Sequence, residues 1–235
     1  DTLYAAILSP DGTILATGSY DQKIRLWDAS SGAELRTIDG HNGAVYDLAF
    51  SPDGRLLASA SGDRTVKLWN VADGSRLDTF GQPTKEQAAL AFSPDGRVLA
   101  GAGADNRIRL WRLSDTAAEG TNPLVETRFA HEGAILDLVF SADGKRLASA
   151  ADDRTVKLWQ ASPLVEEHAL AEQSDWPQAL AYSPDGKQLA IGRMDGSLTL
   201  VEAESGQLVA AALAVVGALA VVDAACQVAP PRVSG

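Results

Sequence analysis

The chain has 235 residues, of which 46% are hydrophobic, enough to bury a substantial core in one or two domains. Its 20 Lys+Arg against 31 Asp+Glu give a formal net charge of -11, which repels phosphate and argues against nucleic acid or an anionic membrane as a general partner. Cys226 is the only cysteine, so no intrachain disulfide can form, and a chain without disulfides is compatible with reducing and oxidising compartments alike.

Read from the N-terminus, the chain shows neither an initiator Met nor a charged segment followed by an apolar one, so no signal peptide is expected and the sequence reads as cut from a longer polypeptide. A turn tetrapeptide then recurs at Ser9-Pro10-Asp11-Gly12, Ser51-Pro52-Asp53-Gly54, Ser93-Pro94-Asp95-Gly96, Ser141-Ala142-Asp143-Gly144 and Ser183-Pro184-Asp185-Gly186, at spacings of 42, 42, 48 and 42. Pro presets φ, Asp bonds the nearby backbone and Gly accepts a positive φ, so each is a tight turn. Asp21, Asp63, Asp105, Asp153 and Asp195 repeat in the same register, and so do Trp27, Trp69, Trp111 and Trp159, with Val201 in the fifth place. Three landmarks in one register define an internal repeat of five units, about 1–40, 41–82, 83–130, 131–172 and 173–211. Within a unit, apolar runs such as 44–50, 55–60 and 65–69 flank tight turns, and a short fourth run such as 75–80 follows the Trp. The expected fold is therefore all-β, with four antiparallel strands per unit. Small residues, as in Leu56-Leu57-Ala58-Ser59-Ala60, suit strands packed on both faces.

Four strands in about 42 residues, with Gly40-His41, Trp27-Asp28 and Val66-Lys67-Leu68-Trp69, resemble the WD-repeat family from Leu3 to about Ala211. The resemblance implies a β-propeller of four-stranded blades. It also implies a hydrogen-bonded set inside each blade: His41, Ser59, Asp63 and Trp69 in unit two, and His131, Ser149, Asp153 and Trp159 in unit four. Unit one supplies Thr17, Asp21 and Trp27, and its His would fall two positions before Asp1. Unit three has Pro83 and Gly101 beside Asp105 and Trp111, while unit five has Gln173, Ile191 and Val201 beside Asp195. Losing the polar partners together would avoid stranding a buried donor, at roughly 1–3 kcal/mol each. The extra residues of unit three, 114–123, are expected as a surface loop on the face opposite the His and Asp loops. The near-constant S-P-D-G turns are similar to bacterial-type repeats of this family.

The run from Leu208 to Val222 holds 15 apolar residues, short of the roughly 20 of a membrane helix, and reads as a last outer strand with a packed extension rather than as an anchor. Residues 229–235 are expected to be disordered. The complete domain assignment is 1–211 for the propeller and 212–235 for the extension and tail.

No cofactor or metal site is expected: His41 and His131 lie two units apart, His168 is out of register, and the repeated Asp residues each serve their own turn. Gly101-Ala102-Gly103 opens no helix and so is not a phosphate loop, and no G-x-S-x-G or H-E-x-x-H string occurs. Resemblance to the family instead directs attention to a partner-binding rim on the His and Asp side. Its residues would be Tyr4, Tyr46, Glu86, Leu136 and Trp176 at the first strands, Tyr20, Asp152 and Met194 before the turn Asp, and Arg64 and Arg154 after it. Tyr, Trp, Met and Arg are favoured in interface cores. The leading expectation is a non-catalytic scaffold that binds a protein or peptide, as part of a larger polypeptide. An enzyme with Asp47 and Asp137 in a central channel is the alternative. A third reading is an incomplete propeller that closes with further repeats or by association with a second chain.

Overall fold

The computed structural model describes residues 2–213. Twenty strands form five four-stranded antiparallel sheets, each with its strands in chain order. Blade one holds β1 (Leu3–Leu8), β2 (Ile14–Ser19), β3 (Ile24–Asp28) and β4 (Glu34–Ile38); blade two holds β5 (Val45–Phe50), β6 (Leu56–Ser61), β7 (Val66–Asn70) and β8 (Arg76–Phe80). Blade three holds β9 (Gln87–Phe92), β10 (Val98–Gly103), β11 (Arg107–Arg112) and β12 (Leu124–Phe129). In blade four these are β13 (Ile135–Phe140), β14 (Arg146–Ala151), β15 (Val156–Ala161) and β16 (Leu164–Ala169), and in blade five β17 (Pro177–Tyr182), β18 (Gln188–Arg193), β19 (Ser197–Glu202) and β20 (Leu208–Leu213). The start of the Leu208 to Val222 run is thus β20. Its remainder and the tail lie outside the described residues, among which no helix is long and apolar enough to cross a membrane.

Each first turn is built around its Ser. The hydroxyl of Ser51 donates to Asp53 at 2.6 Å and accepts from the Leu56 amide at 2.9 Å, while Gly54, at φ 70°, donates its amide to the Ser51 carbonyl. The same bonds recur at Ser9, Ser93, Ser141 and Ser183, so Ala142 in place of Pro leaves the turn unchanged.

The first strands β1, β5, β9, β13 and β17 follow one another around the axis, each touching the next. Between consecutive blades lie four apolar clusters, one per junction. At the junction of blades three and four, Ala89, Ala91, Ala100 and Ala102 present small surfaces to Ile135, Leu138, Phe140, Leu147 and Trp159. Small on one face and large on the other allows close stacking at interior packing density.

Among the described residues no cluster joins blade five to blade one, so the five blades form an open arc. Register-equivalent residues measure the missing neighbour. Trp69, Trp111 and Trp159 are 2%, 0% and 2% exposed, whereas Trp27 is only half-buried. Leu57, Leu99, Leu147 and Leu189 are fully buried while Leu15 is not, and Leu3 and Leu8 of β1 are exposed.

The 114–123 insertion lies at the end of the blade that carries the S-P-D-G turns, but it is more than a surface loop. Ala117 joins the cluster between blades two and three, and buried Asn122 donates to Asp78 at 2.7 Å and to the Ala117 and Ala118 carbonyls. The insertion straps blade three onto blade two.

Leu15 and Leu57 differ in having or lacking a neighbouring blade, so Leu57→Ala should cost about 3 kcal/mol and Leu15→Ala about 1 kcal/mol. Denaturant titration of the two variants measures the difference; equal losses would mean that Leu15 is covered in solution.

Candidate interaction rim

At the end of the arc opposite the S-P-D-G turns, the chain passes from the second to the third strand of each blade through the turn Asp. A backbone bond holds each of these loops to the segment before its first strand: Tyr20 N to Thr2 O, Gly62 N to Ala44 O, Ala104 N to Glu86 O, Asp152 N to Ala134 O and Met194 N to Trp176 O, all 2.9–3.0 Å. The bond sets side by side the residue before the turn Asp and the residue before the first strand. In blade five these are Trp176 and Met194, 44% and 64% exposed. After the turn Asp, Gln22, Arg64, Asn106 and Arg154 adopt φ of 63–72°, a left-handed conformation uncommon outside glycine. Arg64 and Arg154 project from these positions; Arg154 pairs with Glu172 at 2.5 Å.

The structure places Tyr4 and Tyr46 edge to face at 5.2 Å between ring centroids, with Tyr46 against Gly62. Burial raises the Tyr46 phenol, and the charge of Glu86 and the nearby phenols of Tyr4 and Tyr20 add to it. Tyr4, Tyr20, Tyr46 and Glu86 thus converge across blades one to three, while Leu136 and Asp152 lie on blade four and Trp176 and Met194 on blade five. Glu86 and Trp176 stand immediately ahead of their strands, two positions earlier than Tyr46 and Leu136 in the repeat. They therefore lie on the loop rather than on the first strand.

Beneath the rim, the hydrogen-bonded sets fix the loops. Trp69 Nε1 donates to Ser59 Oγ at 2.8 Å, His41 Nε2 lies 2.7 Å from the same oxygen, and His41 Nδ1 lies 2.8 Å from Asp63 Oδ2. In the neutral tautomer with hydrogen on Nδ1, the relay runs Trp to Ser to His to Asp with every proton placed. Blade four repeats it through Trp159, Ser149, His131 and Asp153. Serine, histidine and aspartate in sequence look like a nucleophile and its base. Here Ser59 and Ser149 are fully buried and their oxygens are occupied, so the relay is structural. Burial opposes ionisation of Asp63, but bonds from His41, Thr65 and the Asn42 amide outweigh it and hold the carboxyl well below the usual range. Burial lowers His131.

The other blades satisfy the same groups differently. Trp27 donates to Thr17 at 2.9 Å, and Asp21, held down to about 2 chiefly by Arg25, pairs with it at 2.6 Å. In blade three the polar partners are not lost together: Trp111 keeps its donor and gives it to Gln82 at 3.2 Å, a partner one place away from the His register. Gly101 stands where Ser would, and any Cβ there would come within 2.8 Å of the Trp111 ring. Arg109 pairs with Asp105 at 2.7 Å. In blade five Arg193, bonded to Gln173, Ser197 and Thr199, takes over the centre.

Asp47 and Asp137 face the channel formed by the first strands. Asp47 accepts from the Leu48 amide at 2.8 Å and from Leu90 of the next blade at 2.7 Å; Asp137 accepts from Leu138 at 2.7 Å and from Leu180 at 2.5 Å. At the intervening positions stand Ala5, Ala89 and Ala179. Two aspartates on alternate blades thus serve four inward-pointing amides, each once, and tie blade two to three and four to five. The residues keep some exposure along the channel, yet protein surrounds the carboxyls. Burial, with the charge of Asp137, pushes Asp47 up to about 8, and burial pushes Asp137 up to about 7. Sequence reading singled out this pair but not its bridging role, for which alternation with Ala was the available signal.

With this geometry in view, comparison with known proteins is decisive. The family described as "WD domain, G-beta repeat" matches residues 1–28, 32–70, 74–112 and 122–160, more than half of the chain. The chain belongs to the WD-repeat family. The description "Anaphase-promoting complex subunit 4 WD40 domain" matches 169–218 of this WD-repeat protein. Similar curated proteins include Dynein assembly factor with WD repeat domains 1 of Homo sapiens, 49% identical over 43 residues, 18% of this chain and 10% of the relative. Nuclear distribution protein PAC1-2 of Postia placenta is 48% identical over 48 residues, 20% and 11% of the two chains. Pre-mRNA-processing factor 19 homolog 2 of Arabidopsis thaliana is 41% identical over 46 residues, 20% and 9%. Each match spans about a tenth of the relative's length, roughly one blade.

The channel carboxyls set a pH dependence. Folded Asp47 and Asp137 retain protons that unfolded carboxyls release near pH 4, so their contribution to stability falls as pH rises from about 4 to about 8. Lowered His131 acts with the opposite sign over part of this window, so the comparison of variants isolates the pair. In Asp47→Ala/Asp137→Ala, denaturation midpoints measured from pH 5 to 8 should lose the downward component seen in the parent. An unchanged slope would mean that both carboxyls ionise normally.

Proposed function

We propose that this WD-repeat protein is a non-catalytic scaffold that binds a protein or peptide partner on the rim bearing the turn Asp loops. The observation that carries the reading is the set of large side chains left exposed there. Tyr20 at 64%, Trp176 at 44% and Met194 at 64% stand on loops pinned by the same backbone bond, and Tyr4 at 49% stands at the start of β1 beside them. Exposed aromatic and Met side chains on rigid supports are the usual makings of interface hot spots, because they bury large area with little ordering cost. Arg64 and Arg154 add charged anchors among them. A net charge of -11 favours a partner of opposite charge.

Catalysis at Asp47 and Asp137 is the weaker reading, since all four of their oxygens already accept backbone amides and none is directed at an open site. The exposed end faces favour one addition to the scaffold reading: further repeats or a second chain pack against blades one and five.

A random peptide library displayed on phage and selected on the chain tests the rim. Peptides it enriches should bind Tyr20→Ala/Trp176→Ala/Met194→Ala at least about tenfold more weakly, as loss of hot-spot side chains implies, with the denaturation midpoint unchanged. Peptides that bind the folded triple variant as well as the parent would place the partner surface elsewhere.

A further inference from the structure

Blade five departs from the other four in one chemically consequential way. The buried cation of the blade has lost its carboxylate. Arg25 lies 2.6 Å from Asp21, Lys67 3.9 Å from Asp63 and Arg109 2.7 Å from Asp105, all on the third strand; in blade four the equivalent Lys157 pairs with Glu166 at 3.0 Å, and in blade five the equivalent residue is the neutral Thr199. Arg193 is 8% exposed, and among the described residues it makes no ion pair. Its partners are neutral: Gln173 Oε1, which receives Nε and Nη2, and the hydroxyls of Ser197 and Thr199, which receive Nη1 at 3.1 and 2.6 Å. Asp195, the turn Asp of the blade, caps only the Ser197 amide of its own turn. Asp195 and Asp175 act on Arg193 only from beyond contact distance, and burial still disfavours its charged form; a buried charge without a contacting counter-charge is costly.

The same blade has lost its indole. Val201 stands in the Trp register, and Ile191 replaces the Ser that would receive the indole N–H. A groove of about 490 Å³ opens there, lined by Leu170, Leu198, Val201 and Leu208 with Arg193 and Gln173 in its wall. In blade two the equivalent places are Ile38, Val66, Trp69, Arg76, Ser61 and His41, and the Trp69 ring occupies this position, 2% exposed. Arg193 keeps one Nη2 hydrogen free of the bonds above. The Ser197 and Thr199 hydroxyls accept from Nη1, and their own hydrogens have no acceptor among the described residues. Glu172 at the mouth is neutralised by Arg154. Donors without acceptors, a positive charge without a contacting carboxylate and an apolar slot in the register of the indole meet in one groove.

We propose that this groove binds a small organic carboxylate carried on a flat apolar group, the oxygens taken by Arg193, Ser197 and Thr199 and the ring lying where an indole lies in the other blades. The site adjoins the rim at Arg193 and Glu172, but its lining includes none of Tyr20, Trp176 and Met194, so its failure would leave the scaffold reading intact.

Isothermal titration of the full chain with indole-3-acetate and with its neutral counterpart indole-3-ethanol tests this. The acid should bind with Kd on the order of 1 mM or tighter, the range expected of a ligand this small, and at least about tenfold tighter than the alcohol. Val201→Phe fills the slot without adding an N–H that Ile191 could not accept, and should abolish binding. Arg193→Gln should erase the preference for the acid. No saturable binding of the acid, equal affinity for the alcohol, or undiminished binding to folded Val201→Phe would each overturn the proposal. Should Arg193→Gln not fold, the acid-to-alcohol ratio of the parent and the Val201→Phe result decide it.

Discussion

Everything in this structure depends on one blade's apolar face being covered by the next. A four-stranded sheet of this size cannot bury its residues alone. The Ala-rich face of one blade and the Leu, Phe and Trp face of its neighbour become a core only when stacked. The constraint is visible where it is relaxed. Trp27 and Leu15 occupy positions whose counterparts in blades two to four are sealed, and they keep exposure for want of a blade on that side. Leu198 and Leu200 on blade five keep exposure as well, where their counterparts Val66, Leu68, Val156 and Leu158 are buried. Among the described residues, the arc of five blades therefore has three blades covered on both faces and two covered on one.

Polar bonds decide geometry where apolar contact alone would permit sliding. The Trp, Ser, His and Asp relay joins the third strand, the second strand, the loop before the first strand and the turn within a blade. Channel aspartates join first strands between blades. Asn122 reaches from the insertion of blade three to Asp78 of blade two. Each such bond uses a buried donor or acceptor that would otherwise be left unpaired, so each penalises a shifted register more than it rewards the correct one. Rigidity at the rim follows, because the loops carrying Arg64 and Arg154 are anchored directly above these relays and those carrying Tyr20 and Met194 are held by their backbone bonds to Thr2 and Trp176.

The repeat, the strands and the turns were legible in the sequence because they rest on local chemistry. Pro, Asp and Gly dictate a turn wherever they stand, and 42-residue spacing exposes a unit that must stack. Both complete His-containing sets could be written down by register, and the structure brings their members within hydrogen-bond distance. What was not legible depended on partners brought together only by folding. Gln82 is one place off the His register, so counting residues could not reveal it as the acceptor for Trp111. Arg193 sits outside the relay positions and enters only because Ile191, Val201 and Gln173 vacated them together. The register also placed Glu86 and Trp176 on their first strands, whereas they stand two places earlier in the repeat than Tyr46 and Leu136 and fall on the loop. Whether the ring closes was open as well, because it depends on curvature accumulated over all junctions.

The most direct test of the account is native-state amide hydrogen exchange across the whole chain, which reads local opening free energies blade by blade. If stability comes from covered faces, amides of β6, β10 and β14 in the inner blades should be protected most, and those of β1 and β2 in blade one should exchange much faster. Equal protection of β2 and β10 would contradict the account, because it would mean that the outer face of blade one is already sealed.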